Sequence, residues 1–152
     1  MCKSVTWKVA VALAALFDLE IEQMDAVRAF LNSEADTEIY VEVPPGWKEG
    51  ETLLEDIPEW ACKLLKALYG LKQAPRLWQK KLRSALEELG FQPCTSDQCV
   101  YFNKETGILI VTYVDDMLII GKDKGKIKTL KRDLATKFEI EDIGSANYFI
   151  GV

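Results

Sequence analysis

Histidine is absent from all 152 residues. Imidazole general bases, histidine-dependent nucleophile triads and His-ligated zinc are therefore excluded at the outset. Any metal must be held by carboxylates or thiolates. The four cysteines (Cys2, Cys62, Cys94 and Cys99) include no Cys-x-x-Cys pair, so a thiolate zinc site lacks its usual scaffold. Their irregular spacing reads as reduced intracellular thiols. Repeats and low-complexity tracts are also missing. One apolar run, residues 9–17 (VAVALAALF), follows Lys3 and Lys8 as a signal-peptide core would, but it is too short to span a bilayer. Acidic, strand-like sequence follows it instead of a small-residue cleavage site, so it reads as a buried helix and no membrane partner is expected.

What is present suits one soluble globular domain with a real core: 49% hydrophobic and 28% charged residues. The net charge of −5 argues against a general polyanion binder, yet it averages over an asymmetry. Residues 62–83 carry seven bases (Lys63, Lys66, Lys72, Arg76, Lys80, Lys81, Arg83) and no acid, and removing them from the −5 leaves −12 elsewhere. Such a segment can follow a phosphate backbone, or it can be a solvated lysine-rich helix face. Charge does not choose between the two.

The apolar spacing predicts a largely buried helix over residues 5–17, with Ser4 available as its cap. Leu19-Glu20-Ile21-Glu22 then alternates with period two, and the same parity carries Asp25 toward the face that Leu19 and Ile21 bury. Residues 26–31 suit a short helical turn. A strand is expected over residues 39–43, stopped by Pro44-Pro45-Gly46 and followed by a polar loop to about Pro58. Pro75 fits the first turn of a helix whose apolar face is Trp78, Leu82, Ala85, Leu86 and Leu89, with Gly90 ending it. Residues 91–97 read as a loop and residues 100–102 as a strand. Residues 108–121 read as a β-hairpin with Asp115 and Asp116 at its tip. Ile127, Leu130, Leu134 and Phe138 give one more helix, and residues 148–152 begin a last strand. This order of elements suits an α+β sheet with helices packed on one face.

Asp115-Asp116 is unusual for a tight turn, where glycine normally supplies positive φ. Two acids at the end of an apolar hairpin are either a solvated turn or a cation site. Asp25 offers a third acid on an adjacent strand. Carboxylates on neighbouring strands can hold two magnesium ions roughly 3.5–4 Å apart for an in-line displacement. Spacing alone leaves both readings open.

Five segments narrow the choice. Residues 23–32 (QMDAVRAFLN), Ile39-Tyr40-Val41 followed by Pro44-Pro45-Gly46, residues 68–76 (LYGLKQAPR), Tyr113-Val114-Asp115-Asp116 and Tyr148-Phe149-Ile150-Gly151 occur in that order across nearly the whole chain. In order and spacing they resemble the reverse transcriptase of copia-type retrotransposons. The chain departs from that pattern mildly, at Ala26-Val27-Arg28 and at Ser33.

The resemblance implies a polymerase palm-like sheet and two-metal nucleotidyl transfer with two Mg²⁺ ions, or Mn²⁺ in their place. Asp25, Asp115 and Asp116 would be the catalytic, metal-binding acids, with Asp116 the weaker ligand because adjacent side chains on a strand face opposite ways. Ala26, through its carbonyl, and Arg28, Ala29, Phe30, Tyr69, Gly70 and Lys72 would contact the incoming deoxynucleoside triphosphate. Phe30 falls on the sugar-gate position, where its ring would exclude a 2′-hydroxyl. Lys72, Arg76, Tyr113 and Val114 would meet the RNA or DNA template-primer, while Trp78 reads as core. The chain is expected to be a single-domain fragment of a Pol polyprotein, with the start of the fingers, the thumb and RNase H outside it. Two other readings remain open: an inactive retroelement relic, and a nucleic-acid-binding module built on residues 62–83.

Overall fold

The computed structural model describes residues 2–43 and 61–146. The described residues fall into two compact units, the chain passing from the first to the second at Ala29/Phe30 and back at Trp78/Gln79. The expected stop at Pro44-Pro45-Gly46, the loop to Pro58 and the strand over residues 148–152 lie outside the described residues.

The first unit is built on a six-stranded antiparallel sheet. In chain order its strands are β1 (Glu20–Ala26), β4 (Gln92–Pro93), β5 (Val100–Asn103), β6 (Ile108–Tyr113), β7 (Asp116–Gly121) and β8 (Ile140–Ser145). Across the sheet they lie in the order β4-β5-β6-β7-β1-β8. β1 is therefore interior, with the expected hairpin β6–β7 on one side and β8 on the other. β8 was not foreseen in the sequence. Its Ile-Glu-Asp-Ile-Gly-Ser run is mostly exposed, as the side chains of a strand outermost among the described residues can be, and backbone pairing to β1 defines it.

The helices are α1 (Ser4–Leu16), α2 (Ala74–Glu88) and α3 (Lys124–Ala135). They do not share one face of the sheet, contrary to expectation. Ala10 and Ala14 of α1 cluster with Val111, Leu118 and Ile120, whereas a side chain at Gly121 would meet Ile127 of α3 and Ile108. Along a strand, 118 and 120 face one way and 121 the other. The physical cause lies in β7: Met117, Leu118, Ile119 and Ile120 are all buried, so both faces need a cover.

Two further expectations about α1 change. Its outer side, Val5, Val9, Leu13, Leu16 and Phe17, is exposed, with Val5 at 71% and Leu16 at 73%, so the helix is buried only along its alanine stripe. Ser4 is not its cap; Lys3 is, with no capping side chain of its own. Asp97, from the loop before β5, instead accepts from Lys3 N at 3.1 Å and Thr6 Oγ1 at 2.7 Å. A nonlocal cap of this kind leaves no local sequence pattern.

The other helix signals hold. Gly90, at φ +82°, ends α2 while Phe91 N bonds Leu86 O and Gly90 N bonds Glu87 O, the paired bonds of a Schellman turn. Asp123 caps α3 by accepting from Gly125 N and Lys126 N at 2.8 and 3.1 Å. Buried Lys131 of α3 ion-pairs with both Glu22 of β1 and Asp142 of β8, tying β8 to its neighbour.

In the second unit, β2 (Tyr40–Glu42) pairs with β3 (Ala61–Lys63) in antiparallel register. Backbone bonds Leu64 N to Ile39 O, Ala35 N to Leu65 O and Ala67 N to Ser33 O extend this framework.

Candidate active site

In the β1–β7 ladder Asp25 lies directly opposite Asp116. On the other side of β1, Asp25 lies opposite Glu141. Directly opposed residues project from the same face, with Cβ atoms ~5 Å apart. Glu141, Asp25 and Asp116 thus form a row of acids across three strands, on the side of β1 that also carries Ile21, as the parity of β1 predicts. Like charges so arranged oppose one another. The carboxyl of Asp25 is pushed above the ordinary range by burial first, then by Asp116, Asp115 and Glu141.

The hairpin turn differs from expectation. Tyr113 pairs with Asp116, so the two turn residues are Val114 and Asp115, and Asp116 is the first residue of β7. Val114 takes φ +55°, a left-handed conformation that costs a β-branched residue about 1–2 kcal/mol. Strain of this kind persists where surrounding structure over-determines it, and functional sites are where it concentrates. Here the backbone carbonyl of Asp115 accepts from Ala26 N at 2.9 Å, so the turn is bonded to the residue that follows Asp25. The premise that Asp115 and Asp116 are neighbours on one extended strand, and so face opposite ways, does not hold: Asp115 belongs to the turn and Asp116 to β7. Asp116 also accepts from Gln23 Nε2 at 2.9 Å.

All of these groups offer hard oxygen donors, the type that magnesium selects. Among the described residues no three acids or thiols converge into a ready-made ligand set. Mutually repelling carboxylates around a partly desolvated Asp25 nevertheless fit a divalent cation in chemistry and in sign of charge.

The sequence comparisons bear on this arrangement. Residues 3–152 match the reverse transcriptase (RNA-dependent DNA polymerase) family. The chain belongs to that family. Among similar proteins, the Retrovirus-related Pol polyprotein from transposon TNT 1-94 of Nicotiana tabacum is 42% identical over 153 residues, covering 99% of this chain and 11% of that protein. The corresponding polyprotein from transposon RE1 of Arabidopsis thaliana is 34% identical over 152 residues, covering 99% and 10%. The transposon Ty1-DR5 Gag-Pol polyprotein of Saccharomyces cerevisiae is 32% identical over 122 residues, covering 77% and 6%. The chain thus spans about a tenth, or less, of the length of these transposon polyproteins. The copia-type resemblance is borne out by the relatives from Ty1 and TNT 1-94.

Within the first unit, Ala26 and Ala29 are buried and Arg28 is exposed at φ +51°. Tyr113 is half-buried and packs against the α1 cluster. Within the second unit, Phe30 is buried and its ring lies 4.5 Å from that of Tyr69, tilted by 48°. Gly70 takes φ +96° with open space around it, so conformation and not crowding demands glycine there. Lys72 and Arg76 are exposed, and Arg76 bonds Asp36 at 3.0 Å. Trp78 is core, as expected.

The acid-free stretch of sequence is not acid-free in space. Lys63 pairs with Glu38, Arg76 with Asp36 and Arg83 with Glu87. Sequence reasoning missed Gln23 and Glu141. For Gln23 a faint signal existed, since it shares Asp25's strand parity two residues earlier. Glu141 had none, because β8 itself was unforeseen.

Proposed function

We propose that this chain carries the metal-binding carboxylates of an RNA-directed DNA polymerase, with Asp25, Asp115 and Asp116 holding two Mg²⁺ ions, or Mn²⁺. The observation that carries the reading is the placement of Asp25 opposite Asp116, with Asp115 in a strained turn bonded to Ala26. When bound, such ions activate an attacking hydroxyl and stabilise the leaving oxygen in an in-line displacement.

The chain's own residues hold and orient. The β1–β7 ladder fixes the spacing of Asp25 and Asp116, and the Ala26–Asp115 bond fixes the turn. Phe30, backed by Tyr69, is assigned to exclude a 2′-hydroxyl, which would make deoxynucleoside triphosphates the substrates. Ala26, Arg28, Ala29, Gly70 and Lys72 are assigned to the nucleotide, and Lys72, Arg76, Tyr113 and Val114 to an RNA or DNA template-primer. The remainder of a Pol polyprotein would supply further contacts to the primer. Family membership and the intact acids support this over a stand-alone nucleic-acid-binding module.

The test is primer extension on poly(rA)/oligo(dT) with dTTP and Mg²⁺ or Mn²⁺. The chain is assayed alone and joined to the remaining reverse transcriptase segments of a relative such as TNT 1-94. Extension abolished by Asp115→Asn is the expected result. Salt-sensitive binding without extension in either form, indifferent to Asp115→Asn, would favour the binding module. Neither binding nor extension would indicate an inactive relic.

A further inference from the structure

Gln23 is 5% exposed, an unusual burial for a side chain with two donors and an acceptor. It lies directly across from Leu118, which packs against the alanine stripe of α1. Its Nε2 donates to Asp116 Oδ1 at 2.9 Å, diagonally across the same ladder that sets Asp25 opposite Asp116. The amide's orientation follows from chemistry, because its oxygen turned toward a carboxylate would set two acceptors against each other. On the β8 side, the register of β1 shifts between Gln23 and Met24. Such irregularities re-aim side chains near functional sites.

We infer that Gln23 is a positioning residue: it holds one oxygen of the Asp116 carboxylate and leaves the other for a divalent cation. The inference rests on the metal role proposed above for the acids. A neutral donor suits this task. A lysine or arginine would fix the carboxylate equally well but cancel the charge the cation needs, whereas an amide orients it and leaves the charge intact. Burial confines Gln23 to its rotamer, so the orientation of Asp116 is set before any ligand arrives.

The experiment is a Mn²⁺ titration of the chain, followed by the electron paramagnetic resonance signal of the free ion. It compares the unsubstituted protein with Asp25→Asn, Gln23→Met, Asp116→Asn and the double variant Gln23→Met/Asp116→Asn. Gln23→Met is expected to weaken binding about 10- to 100-fold, the usual loss when the partner of a metal ligand is removed. In the Asp116→Asn background the same substitution should have no further effect, a result that a purely structural role would not give.

Equal affinity for Gln23→Met and the unsubstituted chain would overturn the inference, as would an undiminished loss in the Asp116→Asn background. A chain whose Mn²⁺ binding is absent, or unchanged by Asp25→Asn, would overturn the metal reading itself and this inference with it. Should Gln23→Met fail to fold, the side-chain amide resonances of Gln23 in the otherwise unsubstituted chain decide. They must shift on Asp116→Asn, and resonances that do not respond would overturn the inference.

Discussion

Asp97 joins the start of α1 to the loop before β5, and removing its charge should loosen that junction measurably. Its carboxylate accepts from Lys3 N, from the Thr6 hydroxyl, from Cys99 N at 3.0 Å and from the Cys2 thiol at 3.7 Å. Burial pushes its pKa up. The Cys99 amide, the Thr6 hydroxyl, the Lys3 amide and the Cys2 thiol outweigh this and hold it at about 2, against an ordinary 3.8. That gap corresponds to about 2 kcal/mol, which solvent screening of a partly exposed group trims to about 1–2 kcal/mol. A carboxyl depressed in the folded state stabilises fully above its unfolded pKa. The contribution is then lost as pH falls from about 4 through about 2. Asp97→Asn should therefore cost about 1–2 kcal/mol at pH 7, or roughly 2–8 °C in Tm, with the difference closing near pH 2. Urea and thermal unfolding of both proteins across that range measures it. Equal stability at pH 7, or a deficit that persists unchanged at pH 2, would refute the reasoning.

Three further outcomes are expected. Asp25→Asn should raise the Tm measured in EDTA by relieving repulsion from Asp116 and Glu141, roughly 0.2–1 kcal/mol per opposed pair, while abolishing the stabilisation that Mg²⁺ confers on the unsubstituted chain; calorimetry with and without the ion reads both. Tyr101→Phe should leave stability unchanged or raise it by up to about 1 kcal/mol, because the buried Tyr101 hydroxyl has no hydrogen-bond partner among the described residues; a loss above about 1 kcal/mol in urea unfolding would contradict this. Lys131→Met should cost about 1–3 kcal/mol by leaving Glu22 and Asp142 to repel each other without their shared cation, less than for a fully buried pair because Asp142 is half exposed. Hydrogen exchange should then locate the loosening in β8.

What the sequence made legible was what local pattern encodes. The β6–β7 hairpin follows from a long apolar run interrupted once, and α2 from Pro75, a helical apolar stripe and Gly90. The inward aim of Asp25 follows from parity with Leu19 and Ile21. What it hid depends on distant partners. β8 is a polar strand whose identity comes from pairing with β1 and from Lys131 beneath it. The cap of α1 comes from Asp97, more than ninety positions away. An apolar helix carries the same residue type on its covered and uncovered sides, so the exposure of Val5 and Leu16 was unforeseen. The turn was misassigned by one residue because Val114 is a poor candidate for positive φ, and only the Tyr113–Asp116 register reveals it. In the same way, the ion pairs of the basic stretch were not legible, because Glu38 and Asp36 lie elsewhere in sequence.

Anomalous diffraction at the manganese edge, from crystals of the chain equilibrated with Mn²⁺, tests the central claim most directly. The expected result is metal density beside Asp25 and Asp115, at the end of β1 nearest the Val114-Asp115 turn, and lost in Asp25→Asn. Manganese bound only elsewhere, or density there that survives Asp25→Asn, would contradict the account.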